Sequence, residues 1–291
     1  ERVYPVNLLG NFMKRITTIL TLSIIVAGCA AAPTSSTSVG GAYQGVDPST
    51  RITDKAELAR VRTALAAQYI SERKLDDAQK QLEVAFKAEP RYAPAYDMMG
   101  NLLSAEGSQI NLQKADEYYR RAISIDPEFT QARNNYGVYL SRMNRHKEAI
   151  EQFKIAGSKL GYDGRASSLE NLGLTYLKVG DEKSAEEAFN RALDIDSGTV
   201  VARMELIDIL INQKRTLQAK EYYDGLKSLW QMYDEPMPAR LMYQGIRLSV
   251  LQNNPTERQR LSTLLLSQYP LSDEAKKLKI WLHNPSGAPL K

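Results

Sequence analysis

Cys29 is the only cysteine among the 291 residues, and its surroundings indicate what chemistry it can take part in. A single thiol excludes a disulfide within the chain and a thiolate cage for a metal. Cys29 follows the basic pair Lys14-Arg15, the apolar stretch 16–27 and the small residue Gly28. A basic region, an apolar region and a small residue before the cleavage point are typical of a secretory signal peptide. The apolar stretch is shorter than the ~20 residues that span a bilayer.

The residues Val26-Ala27-Gly28-Cys29 resemble the lipobox of bacterial lipoproteins. The resemblance implies that the Cys29 sulfur receives a diacylglycerol, that the chain is cut before Cys29, and that the new amino group is acylated. Two or more acyl chains give stable anchoring, because each buried CH₂ contributes about 0.8 kcal/mol. In the Gram-negative lipoproteins that this segment resembles, an aspartate after the cysteine favours retention in the inner membrane. The resemblance therefore implies that a chain with Ala30 at this position lies in the outer membrane and faces the periplasm. The alternative is an incidental cysteine behind a membrane anchor or buried helix, which the length and the flanking residues disfavour.

The segments around the signal peptide follow from this interpretation. We expect residues 1–12 to come from an upstream start site, Met13 to be the true start, and residues 13–28 to be the signal peptide. Residues 29–54 consist largely of Ala, Ser, Thr and Gly. Such a segment buries too little apolar surface to order itself, so we expect a lipidated, flexible tether.

Residues that could catalyse a reaction are few and poorly spaced. Neither histidine, His146 or His283, has Cys, His or acidic residues at metal-ligand spacing. No Gly-x-Ser-x-Gly sequence is present, and residues 173–184 lack the Gly-Lys-Ser/Thr ending of a phosphate loop. A formal net charge of only +4 does not favour nucleic acid as a partner. We therefore expect a non-enzymatic protein with no metal, no cofactor beyond the lipid on Cys29, and no small-molecule substrate.

From about Lys55 the sequence repeats with a period close to that of the tetratricopeptide repeat, a helix–turn–helix unit of about 34 residues. Small residues recur where the two helices of a unit cross closely. These are Ala66, Ala78, Gly100, Ala115, Gly137, Ala149, Gly173 and Ala185. The pattern predicts an all-α, right-handed tetratricopeptide-repeat solenoid of about six repeats with a C-terminal capping helix. An unrelated helical bundle is the alternative, which four well-matched units disfavour.

The repeat domain is predicted to cover residues 55–285, with a tail at residues 286–291. Its repeats are predicted at about residues 59–92, 93–129, 130–163, 166–199, 200–233 and 238–271. The capping helix is predicted at residues 272–283.

A candidate protein-binding groove lies on the first helix of each unit, where positions two, five, nine and twelve usually line the concave face. The candidates are Asn101, Asn134, Val138, Leu174, Leu177, Val201, Met204, Ile211, Met242 and Ile246. The N-terminal members are mostly polar, whereas the later ones form an apolar stripe. A large exposed apolar patch usually marks an interaction site. The stripe either binds a partner or is covered internally by the capping helix or residues 223–238, and both possibilities stay open here.

The lipobox, the tether and the six repeats together resemble the type IV pilus pilotin lipoprotein family (PilF/PilW). The resemblance is clearest at ARNNYGVYL (residues 132–140), ENLGLTYL (170–177) and GIRL (245–248). It implies an outer-membrane lipoprotein that binds secretin subunits and promotes their outer-membrane localisation and multimerisation for type IV pilus biogenesis and twitching motility. The alternative is a general tetratricopeptide-repeat lipoprotein adaptor that scaffolds cell-wall hydrolases or outer-membrane protein assembly.

Overall fold

The fold was analysed in a computed structural model, which describes residues 54–283. These residues form thirteen α-helices and no β-strand. In chain order the helices are α1 (Lys55–Ser71), α2 (Leu75–Ala88), α3 (Ala93–Glu106), α4 (Gln109–Ile125), α5 (Thr130–Arg142), α6 (His146–Ser158), α7 (Arg165–Lys178), α8 (Glu182–Ile195), α9 (Val200–Asn212), α10 (Thr216–Met232), α11 (Ala239–Leu251), α12 (Pro255–Gln268) and α13 (Asp273–His283). None of these helices is both long and apolar enough to cross a bilayer.

The helices pair as six consecutive hairpins, numbered repeat 1 (α1 and α2) to repeat 6 (α11 and α12). The first helix of each repeat contacts the first helix of the next, from α1 through α11 to α13. Each second helix also contacts the first helix that follows it. The first helices therefore form one continuous layer. This arrangement confirms the predicted tetratricopeptide-repeat fold, including the capping helix α13.

Local sequence signals place the helix ends. Side chains cap five helices by accepting a backbone N–H bond in the first turn, and these caps are Asp54, Ser108, Asp181, Asn254 and Ser272. Within every repeat, one residue of the turn has a left-handed conformation, with φ between 54° and 83°. These turn residues are Arg73, Gly107, Asn144, Gly180, Lys214 and Asn253. A left-handed residue thus recurs in all six turns, although only two of them use glycine and the turn of repeat 2 is one residue shorter than the others.

Glycines in the first helices make room for aromatic rings of the second helices. A Cβ atom on Gly137 would lie 2.6 Å from Phe153 Cε1, and one on Gly173 would lie 2.6 Å from Phe189 Cε1. Gly100 stands in the same relation to the ring of a buried tyrosine, Tyr119. The small residues at the other predicted crossings are also buried, and these are Ala66, Ala78, Ala115, Ala149 and Ala185.

The described range covers most of the predicted repeat domain. Helix α1 begins at Lys55, ahead of the predicted start of the first repeat at Ala59, because Asp54 caps it and its backbone oxygen accepts from Leu58. The predicted signal peptide, Cys29, the tether before Asp54 and the C-terminal tail lie outside the described residues.

Candidate functional site

A row of hydrogen-bond acceptors joins the first helices of neighbouring repeats. The acceptor row comprises Asp97, Asn134 and Glu170, one residue each from α3, α5 and α7. Asp97 Oδ2 accepts a bond of 2.8 Å from Asn135 Nδ2 on α5. Glu170 Oε1 accepts a bond of 3.0 Å from the backbone N–H of Ala202, in the first turn of α9. Each acceptor therefore fixes the next first helix relative to its own.

Asn134, which the sequence places in the candidate groove, is the middle member of this row. Its side chain is buried, and Oδ1 accepts from Ser168 Oγ at 3.0 Å and from Asn171 Nδ2 at 3.3 Å. Ser168 and Asn171 both lie on α7. Asn134 therefore holds repeats 3 and 4 together rather than facing a ligand.

The two carboxyl groups of the acceptor row have unusual electrostatics. Asp97 is completely buried, and its Oδ1 atom has no hydrogen-bond partner within residues 54–283. Burial raises the pKa of Asp97 to about 7, although the bond from Asn135 acts in the opposite direction. Burial also raises the pKa of Glu170 to about 7, against the lowering effect of the Ala202 N–H. Neither residue was predicted from the sequence. The signal that could have revealed them is a carboxyl side chain at position five of a first helix.

The middle of the predicted groove remains accessible. Val138 on α5 is 38% exposed. Leu174 and Leu177 on α7 and Val201 on α9 are half-buried. Asn101 on α3 is also half-buried, and its Oδ1 atom accepts a 2.8 Å bond from Tyr119 Oη. We call Val138, Leu174, Leu177 and Val201 the central apolar face.

The rest of the predicted apolar stripe is not exposed, so the second of the two alternatives, internal cover, applies to four of its residues. Met204 and Ile211 are each 6% exposed, Met242 is 2% exposed and Ile246 is fully buried. Met242 and Ile246 pack in one cluster with side chains of α12 and α13, including Leu278. Met204 and Ile211 belong to the core cluster that includes residues of α11. Internal packing, in which the capping helix takes part, therefore accounts for this end of the stripe.

An ionic cluster couples repeat 6 to repeat 5. The two terminal guanidinium nitrogens of Arg240 on α11, Nη1 and Nη2, donate to the Glu205 carboxylate at 2.9 Å and 2.8 Å. Arg240 also bonds Asp208, whose second oxygen accepts from Arg247 at 2.6 Å. Glu205 is only 1% exposed. The cluster was not predicted from the sequence, although two acidic residues inside the mostly apolar helix α9 were the available signal.

The described residues offer no metal centre. No group of three or more His, Cys, Asp or Glu side chains between residues 54 and 283 could hold a metal ion. His146 is the first residue of α6 and is half-buried, whereas His283 is exposed at the end of α13. Within this range, the accessible apolar part of the predicted groove is the central apolar face.

Family models identify the repeats directly. A model described as tetratricopeptide repeat matches residues 93–129 and 166–199, and a second model of the same description matches residues 118–151. These matches cover repeats 2 and 4 and overlap the region between them.

One curated relative is the type IV pilus assembly protein PilF of Pseudomonas aeruginosa. It is 28% identical over 171 residues, which are 59% of this chain and 66% of PilF. The aligned part of the chain thus spans just under two thirds of the length of that relative.

Two solved structures are similar over longer stretches. One is described as the functional characterization of Pseudomonas aeruginosa PilF. It has 25% sequence identity and a TM-score of 0.69, and the match covers 78% of this chain and 98% of that one. The other is PilW, described as a widely conserved type IV pilus biogenesis factor, with 23% identity and a TM-score of 0.64. That match covers 76% of this chain and 98% of PilW and supports the fold.

Proposed function

Since this tetratricopeptide-repeat chain is homologous to the type IV pilus assembly protein PilF, we propose that it is an assembly factor of a type IV pilus. The observation that carries the proposal is the structural match to PilF, which extends over 78% of this chain and 98% of that structure. In this proposal the chain binds subunits of the outer-membrane secretin and promotes their localisation and multimerisation there. Twitching motility depends on it for that reason.

The proposed mechanism is binding without catalysis. The central apolar face supplies half-buried apolar side chains, and the acceptor row and the ionic cluster hold neighbouring first helices in fixed positions. A rigid layer lowers the entropy cost of binding, because its side chains are positioned before the partner arrives. Such a layer can hold one secretin subunit in an orientation suited to ring assembly.

We also propose that the protein is anchored in the outer membrane and faces the periplasm. The sequence Val26-Ala27-Gly28-Cys29 supports this, since it resembles a lipobox. Cys29→Ser should move the protein from the membrane fraction to the soluble fraction while the helical circular dichroism signal stays unchanged. A Cys29→Ser variant that stays in the outer-membrane fraction would contradict the lipid anchor.

The proposed partner can be tested by a pull-down from detergent-solubilised outer membranes. The lipidated protein should retain the secretin, and a Val138→Asp variant should retain less of it, because a carboxylate is costly to bury in an apolar contact. Lys220→Gln, on the exposed side of α10, is a control that should leave retention unchanged. Absence of the secretin from the wild-type eluate would contradict the proposal.

A further inference from the structure

Two consecutive first helices carry the same pair of an apolar and a basic side chain. Val138 and Arg142 lie four residues apart on α5, and Leu174 and Lys178 lie four residues apart on α7. Residues four apart on a helix share one face. Arg142 and Lys178 are exposed, Val138 is 38% exposed and Leu174 is half-buried. We call these four residues the apolar–cationic face.

The hydrogen bonds between α5 and α7 set the two pairs side by side. Asn171 Nδ2 bonds Asn134 Oδ1 at 3.3 Å, and Ser141 Oγ lies 3.4 Å from Thr175 Oγ1. Val138 lies between the two α5 residues of these contacts, level with Leu174. Neighbouring packed helices are about 8–10 Å apart, so Arg142 and Lys178 extend from backbones that are one helix spacing apart.

Both basic groups are oriented by neutral hydroxyls. Arg142 Nη1 donates to Ser104 Oγ at 3.2 Å, and Lys178 Nζ donates to Ser141 Oγ at 3.1 Å. Among residues 54–283, no carboxylate forms an ion pair with either of them. A serine hydroxyl positions a cation without neutralising it. The two positive charges are therefore held in place and remain available to an anion.

The pattern is confined to repeats 3 and 4. The corresponding positions in repeat 5 are Asp208 and Asn212, and Arg247 already bonds both of them at 2.6 Å. In repeat 2 they are Asn101 and Ala105. The apolar–cationic face therefore extends over the first helices of repeats 3 and 4 only.

We propose that the apolar–cationic face docks an acidic segment of a protein partner. Two carboxylates of that segment pair with Arg142 and Lys178, and its apolar side chains cover Val138 and Leu174. The inference rests on the proposed function only for the identity of the partner, the secretin. A protein segment fits better than an anionic membrane, since lipid-binding sites usually carry clusters of about 4–8 basic residues.

The chemistry of the segment can be tested without the secretin. The probe is a fluorescent decapeptide that contains leucine and two glutamates, and its counterpart has glutamine in place of glutamate. The full chain, purified in detergent, should bind the glutamate peptide more tightly. The double variant Arg142→Gln/Lys178→Gln should weaken that binding roughly 5- to 20-fold, the sum of two exposed charge pairs. The matched control Lys147→Gln/Lys183→Gln, with both lysines on second helices, should leave it unchanged.

A second arm uses the periplasmic region of the secretin as the probe. Loss of its binding in Arg142→Gln/Lys178→Gln, with retention in the control, supports the docking surface. Absence of wild-type binding to the secretin would contradict the proposed partner and leave the peptide result as the test of the surface. The docking surface is overturned if both peptides bind equally well, if the double variant binds like wild type, or if its only defect is in binding phosphatidylglycerol vesicles.

Discussion

Asp97 on α3 accepts a 2.8 Å hydrogen bond from Asn135 on α5, while its second carboxyl oxygen is buried without a partner among the described residues. This hydrogen bond joins repeats 2 and 3, and its acceptor, the Asp97 carboxyl group, is costly to ionise because it is buried. The contact sets both the alignment of these repeats and their response to pH.

The stability of the protein should depend on pH through Asp97. Burial raises the pKa of this carboxyl from its ordinary value of 3.8 to about 7, so the folded state binds more protons between these values. The free energy of unfolding therefore falls as pH rises from about 4 to about 7. Asp97→Asn keeps an acceptor for Asn135 and cannot ionise. It should be more stable than wild type at pH 8, on the order of 1–3 kcal/mol, with little difference at pH 4.

Urea denaturation at several pH values measures this effect. Glu170 contributes a second pH-dependent change in the same range, because burial also raises its pKa to about 7. The double variant with Glu170→Gln should have the flattest profile. If Asp97→Asn and wild type lose stability in parallel as pH rises, Asp97 is not the group that titrates.

Gly173→Ala should destabilise the fourth repeat. The added Cβ would lie 2.6 Å from Phe189 Cε1 in a fully packed crossing, and overpacking of this kind costs about 1–3 kcal/mol. Gly225→Ala is the matched control, since a Cβ at Gly225 on α10 meets nothing within 4 Å. The control should gain about 0.5–1 kcal/mol from the better helix propensity of alanine. Equal effects of both changes on the urea midpoint would show that the crossing is not tightly packed.

Gly180→Ala isolates the cost of the left-handed turn. Gly180 has φ of 81°, and an added Cβ would meet no atom within 4 Å, so only backbone strain opposes the change. The expected loss is about 1–2 kcal/mol. Lys214 has a positive φ at the equivalent turn of repeat 5. Lys214→Gly should therefore relieve the backbone strain at this turn and leave the protein equally or more stable. The thermal unfolding midpoints of the two variants measure these effects. An unchanged midpoint for Gly180→Ala would contradict the predicted backbone strain.

Arg240→Gln should destabilise the C-terminal repeats. It removes the guanidinium that makes two bonds to Glu205, a carboxylate that is 1% exposed. Breaking a buried ion pair from one side costs about 3–5 kcal/mol. Arg260→Gln breaks an exposed pair with Glu257 and should cost less than about 1 kcal/mol. Similar unfolding midpoints for the two variants would mean that the cluster does not stabilise the contact between repeats 5 and 6.

The sequence predicted the helical repeats well because their packing is local. Gly137 and Gly173 stand at fixed positions of one period, and the rings that fill the space above them belong to the same repeat. The exposed surface was harder to predict, because it depends on contacts between repeats. Met242 and Ile246 occupy groove positions yet pack with α12 and α13. Position in the repeat also does not show that Asp97 loses all contact with solvent.

The proposed role of this protein in secretin assembly can be tested by measuring the amount of secretin multimer in the outer membrane. Membranes from a deletion strain and from strains complemented with wild type or Cys29→Ser should be fractionated, and secretin multimers resistant to detergent quantified in each fraction. We expect multimers in the outer membrane with the wild-type gene, and mislocalised or monomeric secretin in the deletion strain and with Cys29→Ser. Normal outer-membrane multimers in the deletion strain would contradict the account.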